Sequence, residues 1–308
     1  MPESSPARVL VTGATGNVGR ATIRALQDRG IAVRGAVSDP STLRHRLGEA
    51  PGDQRGSGDE GPPTSERLEA VRLDFYDPST FGPALDGCDA MFLLRPPAIS
   101  KVKSTLNLLV DEAARRGVRH VVFLSVEGAD TNRVVPHHKV EVHLLAGTVP
   151  WTILRPGFFA QNLTDAYRLD IRDDDRIYVP AGDAEVAFVD AADIGEAAAT
   201  AFADPATHRA KGYTLTGPAT VTFPEVASML SETLGRSIRY EPASLVGYLR
   251  HLHRRQLPLA QIAVQTVLHI GLRRGASASV DPALPELLGR PAGTMAAFIE
   301  RERSTWLP

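Results

Sequence analysis

The sequence predicts an α/β protein, with a Rossmann-type doubly wound parallel sheet followed by a smaller C-terminal α/β domain. Three observations support this prediction. An apolar strand runs directly into a glycine-rich turn near the N-terminus, and further strand and helix patterns alternate up to about residue 125. After Pro156 the pattern changes to short strands and helices. Alternating βα units form parallel sheets with right-handed crossovers. We therefore expect domains over 1–156 and 157–308, with some later elements returning to the first.

The composition is that of an ordinary globular chain. The 308 residues are 43% hydrophobic and 23% charged, with a formal net charge of −2. Such a balance offers no broad basic field for nucleic acid or an anionic membrane. The single cysteine, Cys88, excludes an internal disulfide. With neither a signal peptide nor an apolar run of membrane-spanning length, we expect a cytoplasmic protein that binds a small molecule. The oligomeric state stays open.

The glycine-rich turn has the properties of a phosphate site. An apolar run, Val9–Val11, precedes three glycines, and the residues after them form a helical pattern. Glycine allows the backbone to approach an anion closely, and the unpaired N–H groups of a helix N-terminus face it. The spacing is GxxGxxG rather than the commoner GxGxxG. We predict a dinucleotide-binding turn formed by Gly13, Thr15, Gly16, Asn17, Val18 and Gly19.

The end of the second predicted strand bears on which nicotinamide cofactor is bound. In this fold an acid there accepts a hydrogen bond from the ribose 2′-hydroxyl, whereas an arginine pairs with a 2′-phosphate. Here the tip is Ser38-Asp39-Pro40. Asp39 could simply cap the turn. Ser38 can donate to a phosphate, and Arg44 could supply the missing charge or belong to a solvated helix face.

Further candidate cofactor contacts lie where the later strands end, because ligands bind at the carboxyl ends of parallel strands. Asp74 could hold an adenine amino group or only form a turn. Pro96 and Pro97 would form a stiff wall. The predicted contacts along this edge are Asp74, Phe75, Leu94, Arg95, Pro96, Ser125, Pro156 and Phe158.

Other patterns are less specific. The segment 48–66 is rich in Gly, Pro, Asp and Ser and is typical of a surface loop. The basic run 250–255 could recognise an acidic partner or be a solvated helix end. His138, Glu141 and His143 do not share one helix face at metal-ligand spacing, so we predict no metal.

Several motifs are shared with a known family. They are Val11–Gly19, Arg155–Phe159, Phe188–Ile194, Tyr213–Gly217 and Leu287–Arg290. With these motifs the chain resembles the NmrA-like branch of the atypical short-chain dehydrogenases/reductases, over nearly its whole length apart from 48–66. The resemblance implies NADP(H) as the preferred cofactor. NAD(H) stays possible, because Ser38 stands where the family has an arginine.

The resemblance also bears on the chemistry. In the wider superfamily a tyrosine is the general acid, a serine polarises the substrate carbonyl, and a lysine four residues after the tyrosine lowers its pKa. Ser125 and Lys139 match the serine and the lysine, but the tyrosine position is Val135. Lys139 would then hold the nicotinamide ribose. His137 or His138 could donate the proton or be surface residues at a helix N-terminus.

The substrate pocket is expected in the second half of the chain. In relatives a helical segment here, which corresponds to 243–274, closes over the substrate. The resemblance therefore makes Tyr248 a candidate pocket residue, and Phe159 and Asn162 could also face the pocket. Two further phenols could replace the missing acid: Tyr167 and Tyr178.

These observations favour an NAD(P)H-dependent reductase of a small apolar electrophile, such as a quinone, an activated alkene or an imine. Such substrates accept a hydride in an apolar pocket and can take their proton from water. The alternative is a non-enzymatic redox sensor that binds NADP(H) and acts through a protein partner.

Overall fold

A parallel sheet of seven strands forms the centre of the first of two units. Its strands are β1 (Arg8–Val11), β2 (Ala32–Val37), β3 (Leu68–Arg72), β4 (Ala90–Leu94), β5 (His120–Leu124), β6 (Trp151–Pro156) and β9 (Lys211–Leu215). They are ordered β3-β2-β1-β4-β5-β6-β9. The predicted doubly wound parallel sheet is therefore confirmed.

This structure is a computed structural model that describes residues 5–41 and 68–307. The predicted surface loop at 48–66 and the candidate Arg44 lie outside the described residues. The first unit comprises Met1–Pro156 and Ala191–Leu215, and the second comprises Gly157–Asp190 and Thr216–Pro308.

Six helices belong to the described part of the first unit. They are α1 (Asn17–Asp28), α2 (Phe81–Leu85), α3 (Leu106–Arg115), α4 (Pro136–Ala146), α6 (Ala191–Ala203) and α7 (Pro205–His208). The second unit contains α5 (Arg168–Asp174), α8 (Phe223–Leu234), α9 (Leu245–Arg254), α10 (Leu259–Arg273), α11 (Ala283–Leu288) and α12 (Met295–Arg301). Its strands are β7 (Arg176–Val179), β8 (Glu185–Val186), β10 (Val221–Thr222) and β11 (Arg239–Pro242).

The order of the sheet positions the candidate site. From β1 the chain continues outward through β2 and β3, and then returns to place β4 on the other side of β1. The crossovers on the two sides of this point run in opposite directions, so the loops after β1 and β4 diverge. All residues of β5 and most of β1 and β4 are buried, as expected for strands covered on both faces.

A close contact between α6 and α1 stabilises the helix that follows the glycine-rich turn. Helix α6 packs against α1, and a Cβ added at Gly195 would lie 2.5 Å from the carbonyl carbon of Ala21. Glycine is therefore required for the two helices to approach this closely. The contact fixes α1, whose N-terminus follows the glycine-rich turn.

The second unit has its own apolar core. It is built around two two-stranded pairs, β8 with β10 and β7 with β11, together with its helices. Trp306 is fully buried and donates its indole N–H to the carbonyl of Leu163 at 3.0 Å. Thr222 and Glu225 form a capping box at the start of α8.

In the described part of the chain, every helix is too short or too polar to cross a bilayer.

Candidate cofactor and active site

The glycine-rich turn depends on two positions that tolerate no side chain. Gly13 has a φ of +61°, a left-handed conformation that favours glycine. Its carbonyl accepts a hydrogen bond from the Gly16 N–H at 3.0 Å. A Cβ at Gly19 would lie 2.1 Å from that same oxygen. The turn therefore requires glycine at 13 and 19 for its own folding.

Gly16 is different, because the fold leaves room beside it. A Cβ at Gly16 would meet only the Gly13 carbonyl oxygen, at an ordinary 3.4 Å. Its φ of −82° is open to any residue. The protein itself therefore does not need glycine here, whereas an anion approaching the backbone would.

The N-terminus of α1 is suited to such an anion. Gly16 is the N-cap, no side chain caps the first turn, and no acidic residue lies in it. A helix N-terminus of this kind, with its dipole, attracts a negative group. Arg20 donates to the Oδ1 of Asn17 at 3.0 Å, which places a cation on the same turn. The geometry fits the pyrophosphate of a dinucleotide.

The end of β4 packs onto this turn. The backbone N–H of Leu94 donates to the Thr12 hydroxyl at 2.8 Å, which joins the ends of β4 and β1. A methyl carbon of Leu94 lies 3.0 Å from where a Gly13 Cβ would be. Leu94 thus lies against the glycine turn, where a cofactor contact was predicted.

Arg95 stabilises the loop that follows β4. Its Nη1 donates to the carbonyls of Pro96 at 3.0 Å and Ile99 at 2.6 Å, and its Nε donates to His137 Nε2 at 3.1 Å. Burial lowers the pKa of Arg95. Arg95, a predicted cofactor contact, thus donates its hydrogen bonds to loop carbonyls and to His137.

His137 is held as a neutral imidazole. Because Arg95 can only donate, His137 Nε2 must accept, and the ring proton resides on Nδ1. Burial, and secondarily the charge of Arg95, lowers the pKa of His137 to about 3. His137 therefore has no titratable proton to give near neutral pH.

His138 and Lys139 lie on the next positions of α4. His138 is half-buried, and its Nδ1 donates to the carbonyl of Ala129 at 2.7 Å. The carbonyl can only accept, so this hydrogen bond fixes the proton on Nδ1 and orients the ring. Lys139 is exposed.

Ser125 belongs to a buried polar cluster with two other side chains. Its hydroxyl donates to a carboxylate oxygen of Glu141 at 2.5 Å. Glu141 also receives three hydrogen bonds from Arg155, two from Nε and one from Nη2, of which Nη2 to Oε2 is 2.7 Å. Glu141 is 3% exposed and Ser125 is 2% exposed. The proton of Ser125 is thus directed at Glu141 rather than at the open edge of the sheet.

The candidate adenosine residues form turns. Asp39 accepts from the N–H and hydroxyl of Ser41, and these hydrogen bonds lower its pKa. Asp74 accepts from the Tyr76 N–H at 2.9 Å. Ser38 is exposed beside Asp39. The structure therefore supports the turn interpretation for both carboxylates.

The candidate pocket residues lie in the second unit. Tyr248 is 1% exposed and donates to the Oε1 of Gln265 at 3.0 Å, so it is a core residue. Tyr248 is buried because it lies on the face of α9 that packs inward, together with His251 and Leu252. Asn162 donates to the carbonyl of Phe159, which closes a local turn. Both residues are half-buried.

The remaining aromatic candidates of this unit are also packed. The ring of Phe158 makes edge contacts with the rings of Phe188 and His269, with centroid distances of 5.5 Å and 6.2 Å. The Tyr167 hydroxyl donates to His269 Nε2 at 2.6 Å, and burial raises its pKa well above 10. Tyr178 is half-buried beneath the guanidinium of Arg176. Tyr167 is thus a poor proton donor.

Sequence reasoning missed Glu141 as a partner of Ser125. A signal was present, because His137, Glu141 and Leu144 recur at helical spacing on one face of α4. Glu141 and Leu144 are buried. A carboxylate on a buried stripe requires a cation, and Arg155 at the end of β6 provides it. Within residues 5–41 and 68–307, no group of three His, Cys, Asp or Glu side chains could hold a metal ion.

Comparison with known proteins agrees with this geometry. The NmrA-like family model matches residues 5–268. An NAD(P)H azoreductase of Xenophilus azovorans is 29% identical over 299 residues, which cover 94% of this chain and 96% of the relative. A (4-alkanoyl-5-oxo-2,5-dihydrofuran-3-yl)methyl phosphate reductase of Streptomyces griseus is 33% identical over 294 residues, 92% of this chain and 94% of the relative. An NADPH-dependent quinone oxidoreductase of Escherichia coli, solved with NADPH, has a TM-score of 0.79 at 22% identity, covering 95% and 99% of the two chains.

Gly16→Asp tests the phosphate site without disturbing the fold. Aspartate is a favoured N-cap and its charge suits a helix N-terminus, so the midpoint of thermal unfolding should be unchanged or higher. The same carboxylate would occupy and repel the pyrophosphate. We expect the Kd for NADPH, measured by calorimetric titration, to rise at least about tenfold, or about 1.4 kcal/mol. An unchanged Kd would contradict the assignment of this turn.

Arg155→Leu tests the buried cluster. Removing the cation leaves the Glu141 carboxylate buried without its charge partner, which should lower the free energy of unfolding by about 3–5 kcal/mol. The double variant Glu141→Leu/Arg155→Leu removes both charges and should recover at least half of that loss. Urea unfolding measures both. If the losses of the single variants Arg155→Leu and Glu141→Leu, measured in the same way, simply add in the double variant, the pair is not coupled.

Proposed function

The chain belongs to the NmrA-like family, and we propose that it is an NADPH-dependent reductase of a small apolar electrophile. A quinone, an activated alkene or an imine is the substrate class. The observation that carries this proposal is the α1 N-terminus, which is free of side-chain caps and of acidic residues and follows a turn in which Gly16 alone is unexplained by the fold. The names of relatives that reduce azo compounds, quinones and an unsaturated lactone support the same reaction class.

The residues at the strand ends fit the cofactor. Gly13, Gly16 and Gly19 would hold the pyrophosphate, Ser38 would face the 2′-phosphate, and exposed Lys139 would hold the nicotinamide ribose. When bound, the reduced nicotinamide supplies a hydride to the substrate. The protein would position the nicotinamide and the substrate, place Pro96 and Pro97 beside the cofactor, and deliver a proton.

The geometry bears on where that proton comes from. Ser125 donates to Glu141, and His137 is neutral with a pKa of about 3. Val135 has no proton to give. We assign proton delivery to His138: the hydrogen bond from Nδ1–H to the Ala129 carbonyl orients the ring, and a second proton taken up on Nε2 is the one delivered to the substrate, which leaves the imidazole neutral. Ser125 then acts as a positioning residue that holds Glu141.

The proposed activity is tested by following NADPH absorbance with a panel of quinones, enones and imines, and with NADH in parallel. We expect turnover on at least one class, faster with NADPH. Ser125→Ala should lower kcat less than about tenfold. His138→Gln, which carries no titratable proton, should lower kcat by about 10²-fold or more, the range for losing a general acid.

Two outcomes would contradict the proposal. Tight NADPH binding with no turnover on any panel member favours the redox sensor. Turnover in which Ser125→Ala loses as much rate as His138→Gln would mean that the Ser125 hydroxyl acts directly on the substrate. Thermal unfolding of each variant shows whether it is folded.

A further inference from the structure

Helices α9 and α10 of the second unit expose an unusual number of large apolar side chains. Their exposed fractions run from 38% for Leu245 to 77% for Leu259. We call this set the apolar patch. Its members are Leu245, Val246 and Leu249 on α9, and Leu259, Val264, Val267 and Leu268 on α10.

The patch lies on the outward faces of the two helices. On α10, Ile262, His269 and Leu272 are buried, whereas Val264, Val267 and Leu268 recur at helical spacing on the opposite side. No charged residue occurs between Leu259 and Leu272. A surface helix normally exposes polar side chains to water, whereas the exposed face of α10 carries large apolar ones.

The segment that carries the patch contributes charges of one sign. The segment 242–280 contains five arginines and no aspartate or glutamate. One of them, Arg255, pairs with Asp170 at 2.8 Å and Asp174 at 3.0 Å. The other four are exposed and have no ion pair with any residue that the structure describes: Arg250, Arg254, Arg273 and Arg274.

Acidic residues near α9 do not cancel this excess. Asp170 also accepts from His251 at 2.9 Å. Asp174 and Glu241 are engaged by Arg176, with Arg176 to Glu241 at 2.8 Å. The four free arginines therefore border an uncharged apolar surface without a neutralising partner.

We propose that the apolar patch and its four arginines bind the surface of an anionic phospholipid bilayer. An apolar helix face bordered by Lys or Arg is the arrangement that lies in the interface between headgroups and acyl chains. Each arginine near an anionic surface adds attraction. Helix α10 has 15 residues, fewer than the roughly 20 that a spanning helix needs, so it lies along the surface.

The charge pattern disfavours a second copy of the chain as the occupant. A two-fold contact would bring the same patch against itself, so arginines would meet arginines with no acid in 242–280 to pair with them. The prediction of no membrane partner rests on the net charge of −2, which averages over this local excess. The proposal does not depend on the reductase activity.

The test is flotation of the full-length protein with vesicles of phosphatidylcholine alone or of equal parts phosphatidylcholine and phosphatidylglycerol. We expect binding to the anionic vesicles only. It should weaken between about 0.1 M and about 1 M NaCl, as the screening length shortens from ~10 Å to ~3 Å. Arg273→Gln/Arg274→Gln should lower the partition constant for the anionic vesicles, obtained from the bound fraction, about tenfold or more.

Matched apolar variants separate the patch from general exposure. Val267→Asp/Leu268→Asp should abolish vesicle binding. Val142→Asp/Leu145→Asp makes the same change on α4, where these residues are 51% and 57% exposed, and should bind as the unmodified protein does. Circular dichroism at the flotation temperature shows that each variant is folded.

Three results would overturn the proposal. The first is no binding to the anionic vesicles, and the second is equal binding to neutral and anionic vesicles. The third is a concentration-dependent dimer in sedimentation velocity that Val267→Asp/Leu268→Asp abolishes, without vesicle binding, which would assign the patch to a second copy.

Discussion

The turn from Gly13 to Gly19 depends on a backbone approach that only glycine permits. The Gly13 carbonyl accepts from Gly16 and excludes any Cβ at Gly19. Because that approach starts α1 immediately after β1, the N–H groups of the first helical turn point to the carboxyl edge of the sheet. Gly195 then allows α6 to pack on α1 and hold it there. The cofactor assignment follows from these contacts, since Gly16 itself is not required by the fold.

Next to this turn, charged side chains bind backbone carbonyls and buried side chains of the protein itself. Arg95 directs its donors at the loop after β4 and at His137, and Arg155 neutralises Glu141. Buried charges that are paired and hydrogen-bonded make a rigid edge, whereas an unpaired one would be costly. The consequence for chemistry is that few protons remain mobile. Of the candidate donors near this turn, His138 is therefore the one to which we assign proton delivery.

The sequence predicted what depends on local pattern and missed what depends on distant contacts. The apolar runs that form strands and the glycine turn are predicted from neighbouring residues, and both are present in the structure. The partner of Ser125 is 16 residues away on another element, and no local pattern fixes which way its hydroxyl donates. Tyr248 could not be placed either, because helical spacing alone does not say which face of α9 packs inward.

We expect the chain to transfer a hydride rather than only to sense a bound dinucleotide. Single-turnover reduction of an enone or imine with NADPH deuterated at C4, prepared in each configuration, tests it most directly. If the chain transfers a hydride, deuterium from one of the two configurations appears on carbon in the product, as mass spectrometry would show. Retention of all deuterium in a cofactor that is bound tightly, with every acceptor class tried, would contradict it.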